Sequence, residues 1–201
     1  MLYDTMYRLQ QTISHIQPSN TTNHNNPNDN NNNNSHELAW YVDCQQLNLK
    51  PLPSHYIIRT LQLDDYHKNI FLLMAQLTVA PNVSYQQFQH TYNIRHNCTH
   101  HTYNTVVIED TARSHIIACA TLLIEYKYIR ECGIIGHIED VCVDKNYRGN
   151  DLGLYVTYAL INRAKQLSCY KVILDCEPHN MKFYERCGFK ENAKHMALYL
   201  K

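Results

Sequence analysis

Two adjacent carboxylates, Glu139 and Asp140, stand in the middle of a segment that is typical of a β-strand. Residues 138–143 combine β-branched side chains with apolar alternation. Successive residues of a strand face opposite sides, so at most one of the two carboxylates points into a given pocket. A carboxylate at such a position can take a proton from an attacking group, which makes the pair a candidate for general base catalysis.

The segment after this strand is typical of a phosphate-binding turn. Arg148, Gly149 and Gly153 lie in a short loop, and an apolar-periodic helix follows over residues 152–167. A glycine-containing turn at the start of a helix directs backbone N–H groups outward at the positive end of the helix dipole, where they bind phosphate. A phosphate site beside a carboxylate base predicts group transfer from a phosphate-bearing cosubstrate.

The rest of the chain supplies the elements that position this site. Periodicity, capping residues and turn residues predict the order β-α-α-β-β-β-α-β-α-β, a mixed sheet with helices on both faces. Asp64 or Asp65 is predicted to cap the first helix and Ser84 the second, and Gly188 is predicted to end the last one. The predicted strands cover residues 56–61, 105–109, 115–126, 138–143, 171–175 and 196–200, and the predicted helices cover residues 64–77, 84–95, 152–167 and 180–187.

The first quarter of the chain has a different composition. From residue 19 to residue 35 it is mostly Asn, with a few Ser, Thr, His, Pro and Asp residues. Such a segment cannot bury apolar surface, so we expect it to be disordered. We therefore divide the chain into an N-terminal tail, residues 1–55, and one domain, residues 56–201, with Trp40 and Tyr41 as tail residues able to pack on the domain.

Charge and cysteine content narrow the class of protein. The 18 basic and 18 acidic side chains cancel, which gives no reason to expect a nucleic-acid partner. No apolar run approaches the roughly 18–20 residues of a membrane span, so we expect no membrane association. The eight cysteines are scattered, with no CxxC pair, and we expect no metal. They could form four disulfides in a secreted protein, but the chain is not a short, loop-rich scaffold, so we expect reduced thiols in an intracellular, cytoplasmic protein. Cys142 and Cys176 have no evident activating partner and are interpreted as packing residues, and His137 is interpreted as structural.

Four blocks of the sequence, taken in order, resemble the eukaryotic glucosamine-6-phosphate N-acetyltransferases, within the GCN5-related N-acetyltransferase superfamily. The blocks are IEYK at residues 124–127, GHIEDV at 136–141, CYKVILDC at 169–176 and NMKFYERCGF at 180–189. The resemblance begins near residue 57 and does not cover the Asn-rich tail. It implies an α/β (α+β) fold with a mixed, mostly antiparallel central sheet, flanking helices and an acetyl-CoA cleft after the fourth strand.

The resemblance implies which residues hold acetyl-CoA. The backbone of residues 141–143 would pair with the pantetheine arm and donate to the thioester carbonyl, and the following loop would hold the pyrophosphate. Tyr184 would stabilise or protonate the leaving thiolate. The implied acetyl-CoA residues are Val141, Cys142, Val143, Arg148, Gly149, Asn150, Asp151, Leu152, Gly153 and Asn180.

The resemblance also implies a site for glucosamine 6-phosphate, whose amine would attack acetyl-CoA directly in a ternary complex. Glu139, Asp175 and Tyr184 would be the catalytic residues, with Asp175 orienting the amine. Tyr170 and Lys171 would come from the second subunit of a homodimer. The product would serve UDP-N-acetylglucosamine synthesis. The implied sugar-site residues are Thr78, Lys127, Tyr128, Ile129, Arg130, Glu139, Asp140, Tyr170, Lys171 and Tyr199.

Two positions depart from the family pattern. Asp151 replaces the first glycine of the Q/R-x-x-G-x-G loop, and its carboxylate is unfavourable beside a pyrophosphate unless it points outward. Tyr199 stands where relatives carry an Arg that contacts the sugar phosphate, so Lys127, Arg130 or Lys171 would have to supply the charge. The departures leave two alternatives open, an N-acetyltransferase for another amino sugar or small amine and a catalytically weak CoA-binding module.

Overall fold

The computed structural model describes residues 40–78, 82–98 and 102–200. The prediction of disorder for residues 19–35 lies outside the described residues. Within the described ranges, no helix is both long and apolar enough to cross a membrane.

Five strands form one sheet in the order β1-β2-β3-β4-β5. The first four strands are antiparallel neighbours, and β5 runs parallel to β4. This mixed, mostly antiparallel sheet confirms the predicted fold class. The strands are β1 Tyr56–Thr60, β2 Tyr103–Asp110, β3 His115–Tyr126, β4 Ile134–Val143 and β5 Cys169–Ile173.

Helices cover both faces of the sheet, as predicted. The α-helices are α1 Ile70–Met74, α2 Tyr85–His96, α3 Leu152–Gln166 and α4 Met181–Arg186. Three 3-10 helices, Leu63–His67, Lys145–Tyr147 and Pro178–Asn180, lead into or connect them. A further short helical segment, Ile129–Cys132, has left-handed backbone at Arg130 and Glu131 and joins β3 to β4.

Local capping explains where these helices begin and end. The Ser84 hydroxyl accepts a hydrogen bond from the Gln87 N–H at 3.3 Å, which confirms the predicted cap of α2. Gly188 follows α4 with φ +90, in the left-handed region that suits a helix end. The first predicted helix is wrong in part, because Asn69 at φ 63 interrupts it and leaves a 3-10 helix before a short α1.

One face of the sheet is covered by α3 and by the segment that precedes β1. Val156, Ala159 and Leu160 of α3 are completely buried in the main core. Trp40 joins the same core, and its indole N–H donates to the Thr60 hydroxyl at 2.8 Å. Tyr41, which we expected to be able to pack like its neighbour, is instead exposed.

The other face is covered by α1 and α2, which bury Ile70, Leu73 and Phe88 in a second core. A network of charged side chains ties this layer to the sheet beside it. Arg59 of β1 donates to both Asp65 and Glu109, and Lys68 also donates to Glu109. The nitrogen-to-oxygen distances are 2.6 Å between Arg59 and Asp65, 2.5 Å between Arg59 and Glu109, and 2.8 Å between Lys68 and Glu109.

The predicted strand over residues 196–200 is wrong for the described chain. Residues 189–200 carry no regular secondary structure, and Met196, Leu198 and Leu200 are almost fully exposed. The apolar alternation of this segment is real, but a strand forms only where its backbone groups find a neighbouring strand. None of the five described strands pairs with it.

Candidate active site

The cleft of this molecule lies where β4 and β5 separate. The two parallel strands pair only from Ile134 with Cys169 to His137 with Ile173. Strand β4 continues to Val143, so among the described residues its last six have no strand partner on the β5 side. An extended ligand can lie along that open edge and form hydrogen bonds with the backbone of β4, as a neighbouring strand would. The predicted residues Val141, Cys142 and Val143 all lie on it.

A β-bulge shapes the bottom of this cleft. Cys119 of β3 pairs with Cys142, and Thr121 pairs with Glu139, so two residues of β4 oppose one residue of β3. Asp140 lies in the bulge with φ 55, which is left-handed backbone. The bulge interrupts the alternation expected of a strand, and both Glu139 and Asp140 are exposed.

Glu139 lies in a negatively charged environment. Desolvation raises the pKa of its carboxyl, and the charges of Asp140 and Asp175 raise that pKa further against the opposing influence of His137 and His195. A raised pKa makes Glu139 a stronger base, as a residue that takes a proton from an ammonium or amine requires. The structure therefore brings together three of the predicted carboxylates.

Tyr184 approaches the same group of residues from α4. Burial, followed by the influence of Cys176, Cys187 and Glu139, raises the pKa of its hydroxyl to about 12. The ring packs edge-on against Phe183 at 4.9 Å and Phe189 at 6.1 Å. Tyr184 is therefore a neutral hydrogen-bond donor near pH 7, held in place by its aromatic neighbours.

His195 completes this group and was not predicted from the sequence. Its Nδ1 lies 3.0 Å from Asp175 Oδ2, although both side chains are largely exposed. Asp175 lies two residues beyond the end of β5, which stops at Ile173 instead of reaching residue 175 as predicted. Sequence patterns gave no signal for His195, because its partner is twenty residues earlier in the chain and in a different segment.

The start of α3 supplies the candidate phosphate site. The helical hydrogen bonds begin with the Leu154 and Tyr155 N–H groups, which donate to the Asp151 carbonyl at 2.8 and 3.1 Å. The N–H groups of residues 149–153 come before this ladder, at the positive end of a 15-residue helix. This arrangement fits the pyrophosphate of acetyl-CoA. Arg148 is exposed, and its Nε donates to the Val143 carbonyl at 3.1 Å, which ties the loop to the end of β4.

Asp151 has the left-handed backbone that glycine adopts most easily. Its φ is 56 and its ψ is 12, a left-handed conformation that Asp tolerates better than most residues. Its side chain makes no capping hydrogen bond. The carboxylate instead accepts a hydrogen bond from Arg186 at 3.4 Å, so part of its charge is balanced by α4.

Gly153 allows α4 to approach the start of α3. A Cβ at this position would lie 3.0 Å from Phe183 Cζ and 3.6 Å from a methyl group of Val143. Asn180 precedes α4 as its N-cap residue, and Asn150 donates from its amide to the Tyr147 carbonyl at 3.0 Å. Gly149 has φ +81 and open space around it, so it serves the turn.

Lys127 is paired rather than free at the other end of the cleft. Its ammonium group donates to Glu125, and Glu125 also lies 2.8 Å from His137 Nε2. These contacts lower the pKa of Glu125, with the Lys127 hydrogen bond as the larger cause. Glu125 is therefore a structural partner of His137. Because Glu125 also pairs with Lys127, the charge of Lys127 is partly neutralised, which the sequence alone did not indicate.

Several predicted sugar-site residues make no polar contact with the carboxylates within a single chain. None of them forms a hydrogen bond or ion pair with Glu139, Asp140 or Asp175 among the described residues. Most are strongly exposed, and Lys171 lies over the ring of its neighbour Tyr170 at 5.9 Å. These residues are Thr78, Tyr128, Ile129, Arg130, Tyr170, Lys171 and Tyr199.

The chain is similar in sequence to known acetyltransferases. The model of the Acetyltransferase (GNAT) family matches residues 67–189, more than half of the chain. Glucosamine 6-phosphate N-acetyltransferase 1 of Dictyostelium discoideum is 41% identical over 142 residues, which are 71% of this chain and 89% of that protein. The Arabidopsis thaliana glucosamine 6-phosphate N-acetyltransferase is 40% identical over 143 residues, 71% of this chain and 95% of that protein.

Solved structures agree with the sequence relatives. The crystal structure of the Arabidopsis thaliana glucosamine-6-phosphate N-acetyltransferase superposes with a TM-score of 0.71 at 37% identity, covering 73% of this chain and 99% of that one. A Trypanosoma brucei acetyltransferase superposes with a TM-score of 0.67 at 32% identity, covering 72% and 99%. The chain therefore belongs to the acetyltransferase (GNAT) family, and within it is related to the eukaryotic glucosamine 6-phosphate N-acetyltransferases.

Proposed function

We propose that this protein transfers the acetyl group of acetyl-CoA to the 2-amino group of glucosamine 6-phosphate. The observation that carries the proposal is the open edge of β4, which runs from Glu139 to the phosphate-binding start of α3. The identity of about 40% to relatives named for this activity selects the acceptor. The product, N-acetylglucosamine 6-phosphate, would then serve UDP-N-acetylglucosamine synthesis.

We assign removal of a proton from the acceptor amine to the carboxylates Glu139 and Asp175. The amine nitrogen attacks the acetyl carbon, so it must lose a proton before or during the attack. Glu139 has a raised pKa and neighbours Asp175, so it accepts the proton while Asp175 orients the amine. The acidic surroundings also attract an ammonium acceptor to the site.

We assign the backbone of β4 to stabilising the negative charge that develops on the acetyl oxygen. The backbone N–H groups of Val141 and Val143 face away from β3 and have no strand partner on the β5 side among the described residues. Fixed donors of this kind stabilise an oxyanion without reorganising during the reaction. Arg148, Asn150 and the N–H groups of residues 149–153 would hold the phosphates, and Asn180 would contact the cosubstrate from α4.

Tyr184 is assigned to the leaving sulfur as a hydrogen-bond donor. The sequence left open whether it stabilises or protonates the thiolate. Its hydroxyl has a pKa of about 12, whereas an ordinary thiol has one of about 8.5. Full proton transfer from Tyr184 to the thiolate is therefore unfavourable. A hydrogen bond from Tyr184 stabilises the thiolate, and solvent supplies the proton.

We infer a homodimer with shared sites, and the surfaces that one chain leaves open support this inference. Met196, Leu198 and Leu200 are exposed in an extended segment, and β5 is the last strand of the described sheet. The aromatic and apolar side chains of Tyr128, Ile129 and Tyr170 are also exposed. A second copy would cover these groups and bring its Tyr170 and Lys171 to the sugar site.

An intracellular and cytoplasmic location is supported by the thiols. All eight cysteines are free, and three of them, Cys119, Cys142 and Cys187, are buried. A secreted protein of this size with eight cysteines more often pairs them.

The proposed activity is tested by measuring thiol release from acetyl-CoA with a panel of acceptors. We expect kcat/KM for glucosamine 6-phosphate to exceed that for glucosamine and for other amino-sugar phosphates by at least tenfold. Preference for a different amine would overturn the assigned substrate, and binding of acetyl-CoA without any turnover would overturn the enzyme assignment.

The shared site is tested by mixing two inactive variants. Glu139→Gln and Lys171→Met damage the same site from different subunits, so a mixed dimer contains one intact site. Refolding an equal mixture is expected to restore about a quarter of the wild-type activity. A mixture as inactive as its parts, or a monomer by light scattering, would contradict the shared dimer.

A further inference from the structure

A cavity of about 250 Å³ lies between α2 and the β1–β2 side of the sheet, apart from the acetyl-transfer cleft. Its walls are mainly apolar and aromatic, and include Leu61, Phe71, Met74, Phe88 and Tyr92. None of the three residues assigned to catalysis, Glu139, Asp175 and Tyr184, lines it. A cavity of about 150 Å³ holds a benzene molecule, so this space admits an apolar body larger than one ring.

Arg95 brings a positive charge into this apolar space. The side chain is half-buried, and its guanidinium carbon lies 4.9 Å from the centre of the Tyr103 ring. Its Nη2 donates to the hydroxyls of Thr105 and Thr121, both at 3.0 Å. These contacts fix the guanidinium at the cavity wall, and all the acceptors it finds are neutral.

No described carboxylate pairs with Arg95. Arg59, another partly buried arginine, by contrast contacts both Asp65 and Glu109. A charge withdrawn from water normally acquires a counter-charge, because desolvation without one is costly. The cavity therefore offers a fixed cation and a large apolar wall, the two features that recognise an amphipathic anion.

We propose that this cavity is a second ligand site, which binds a small monocarboxylate with an aromatic or branched aliphatic body. The apolar body lies among Phe71, Met74 and Phe88, and the carboxylate pairs with Arg95. Arg95 carries the one permanent charge among the residues that line the cavity, and a single negative charge matches it. This proposal does not depend on the acetyl-transfer reaction.

The site has a direct structural link to the cleft. Thr121, which accepts a hydrogen bond from Arg95, is the cross-strand partner of Glu139. Thr105 is in turn the partner of Thr121 on β2, and the two hydroxyls lie 3.1 Å apart. Partner residues on adjacent strands share a face of the sheet, so the cavity and Glu139 lie on the same face.

The proposal is tested by titrating the full-length protein with 3-phenylpropionate. Binding is followed through the methyl resonance of Met74 by NMR, which needs no enzyme turnover. We expect a saturable shift, and at least tenfold weaker binding of the neutral analogue 3-phenylpropionamide because it lacks the charge. Equal binding of the two compounds, or no saturable shift with 3-phenylpropionate, would overturn the proposal.

Variants separate a ligand site from a purely structural arginine. Arg95→Met should abolish the preference for the carboxylate, Arg95→Lys should retain part of it, and Thr91→Trp should block the cavity while leaving Arg95 in place. Lys165→Met, which removes an exposed charge from α3, is the matched control and should bind as the wild type does. If Arg95→Met does not fold, the Lys and Trp variants decide the question. Unchanged binding in folded Thr91→Trp would place the ligand elsewhere and overturn the proposal.

Discussion

The guanidinium of Arg186 donates to the carboxylate of Asp151 at 3.4 Å, across the gap between α4 and the start of α3. Asp151 occupies a position where the family pattern has glycine, and its charge is unfavourable beside a pyrophosphate. The contact with Arg186 draws that carboxylate towards α4. The ion pair is exposed, so it contributes little to stability but controls where the charge lies.

Removing Arg186 should therefore weaken acetyl-CoA binding through Asp151. We expect Arg186→Met to raise the Kd of acetyl-CoA about threefold to tenfold, since the freed carboxylate repels the phosphates. Adding Asp151→Gly to this variant should restore wild-type affinity, as measured by calorimetry. If the double variant binds as weakly as Arg186→Met, then Arg186 contacts the ligand itself and the interpretation of Asp151 is wrong.

The close approach of Gly153 to Phe183 gives a second prediction. In an open helix Gly→Ala is stabilising, but here the new Cβ would lie 3.0 Å from the Phe183 ring. We expect Gly153→Ala to lower the free energy of unfolding by about 1–3 kcal/mol and to reduce kcat by displacing Tyr184. Adding Phe183→Leu should recover most of the stability. A stabilised Gly153→Ala protein would show that α4 is not held against α3.

The raised pKa of Glu139 predicts how activity depends on pH. A base acts in its deprotonated form, so kcat/KM should fall as the pH decreases through a value above the ordinary carboxyl pKa. Glu139→Gln should lower kcat by about 10²–10⁴-fold and remove this acid limb from the pH profile. An unchanged limb in the variant would assign the base to another group.

The same raised pKa has a consequence for stability. The folded protein holds the Glu139 proton more tightly than the unfolded chain, so the contribution of Glu139 to stability decreases as the pH rises between the two pKa values. Glu139→Gln should therefore melt at a higher temperature than the wild type, with a difference that grows as the pH is raised through this window. A difference of the opposite sign would contradict the direction of the shift.

The charged network around Arg59 should be a strong determinant of folding stability. Asp65 is completely buried, and Arg59 is its bidentate partner. We expect Arg59→Met to cost about 3–5 kcal/mol, because it leaves a buried carboxylate without this cation. Arg113→Met removes a largely exposed arginine from Asp110, which is also buried but keeps hydrogen bonds from the Tyr147 hydroxyl and from backbone N–H groups. This variant should therefore cost clearly less than Arg59→Met. Similar losses in chemical denaturation for the two variants would contradict this difference.

Much of the framework was predictable because local chemistry and packing agree. Ser84 caps α2 through its own side chain, and the glycine-containing loop opens α3 as its composition indicates. The limits of β3 follow directly from its apolar run. The mixed sheet with helices on both faces was predicted correctly for the same reason, whereas the family was predicted correctly from the resemblance of four sequence blocks.

Other features depend on contacts between distant segments, which a sequence does not display. The left-handed Asn69 divides a helix that periodicity predicts as continuous. The alternation of residues 196–200 is typical of a strand, but no described strand offers an edge to pair with it. The contacts Asp175–His195 and Asp151–Arg186 join residues 20 and 35 positions apart, and nothing in the local sequence indicates either.

The central claim is that the cleft forms an N–C bond between the acceptor amine and the acetyl carbon. The most direct measurement is ¹³C NMR of the product formed from [1-¹³C]acetyl-CoA and glucosamine 6-phosphate, with Glu139→Gln as the control. The account predicts an amide carbonyl signal on the 2-amino group that appears with the wild type and is at least a hundredfold slower with the variant. An acetyl signal on oxygen, on the protein or on released acetate alone would contradict it.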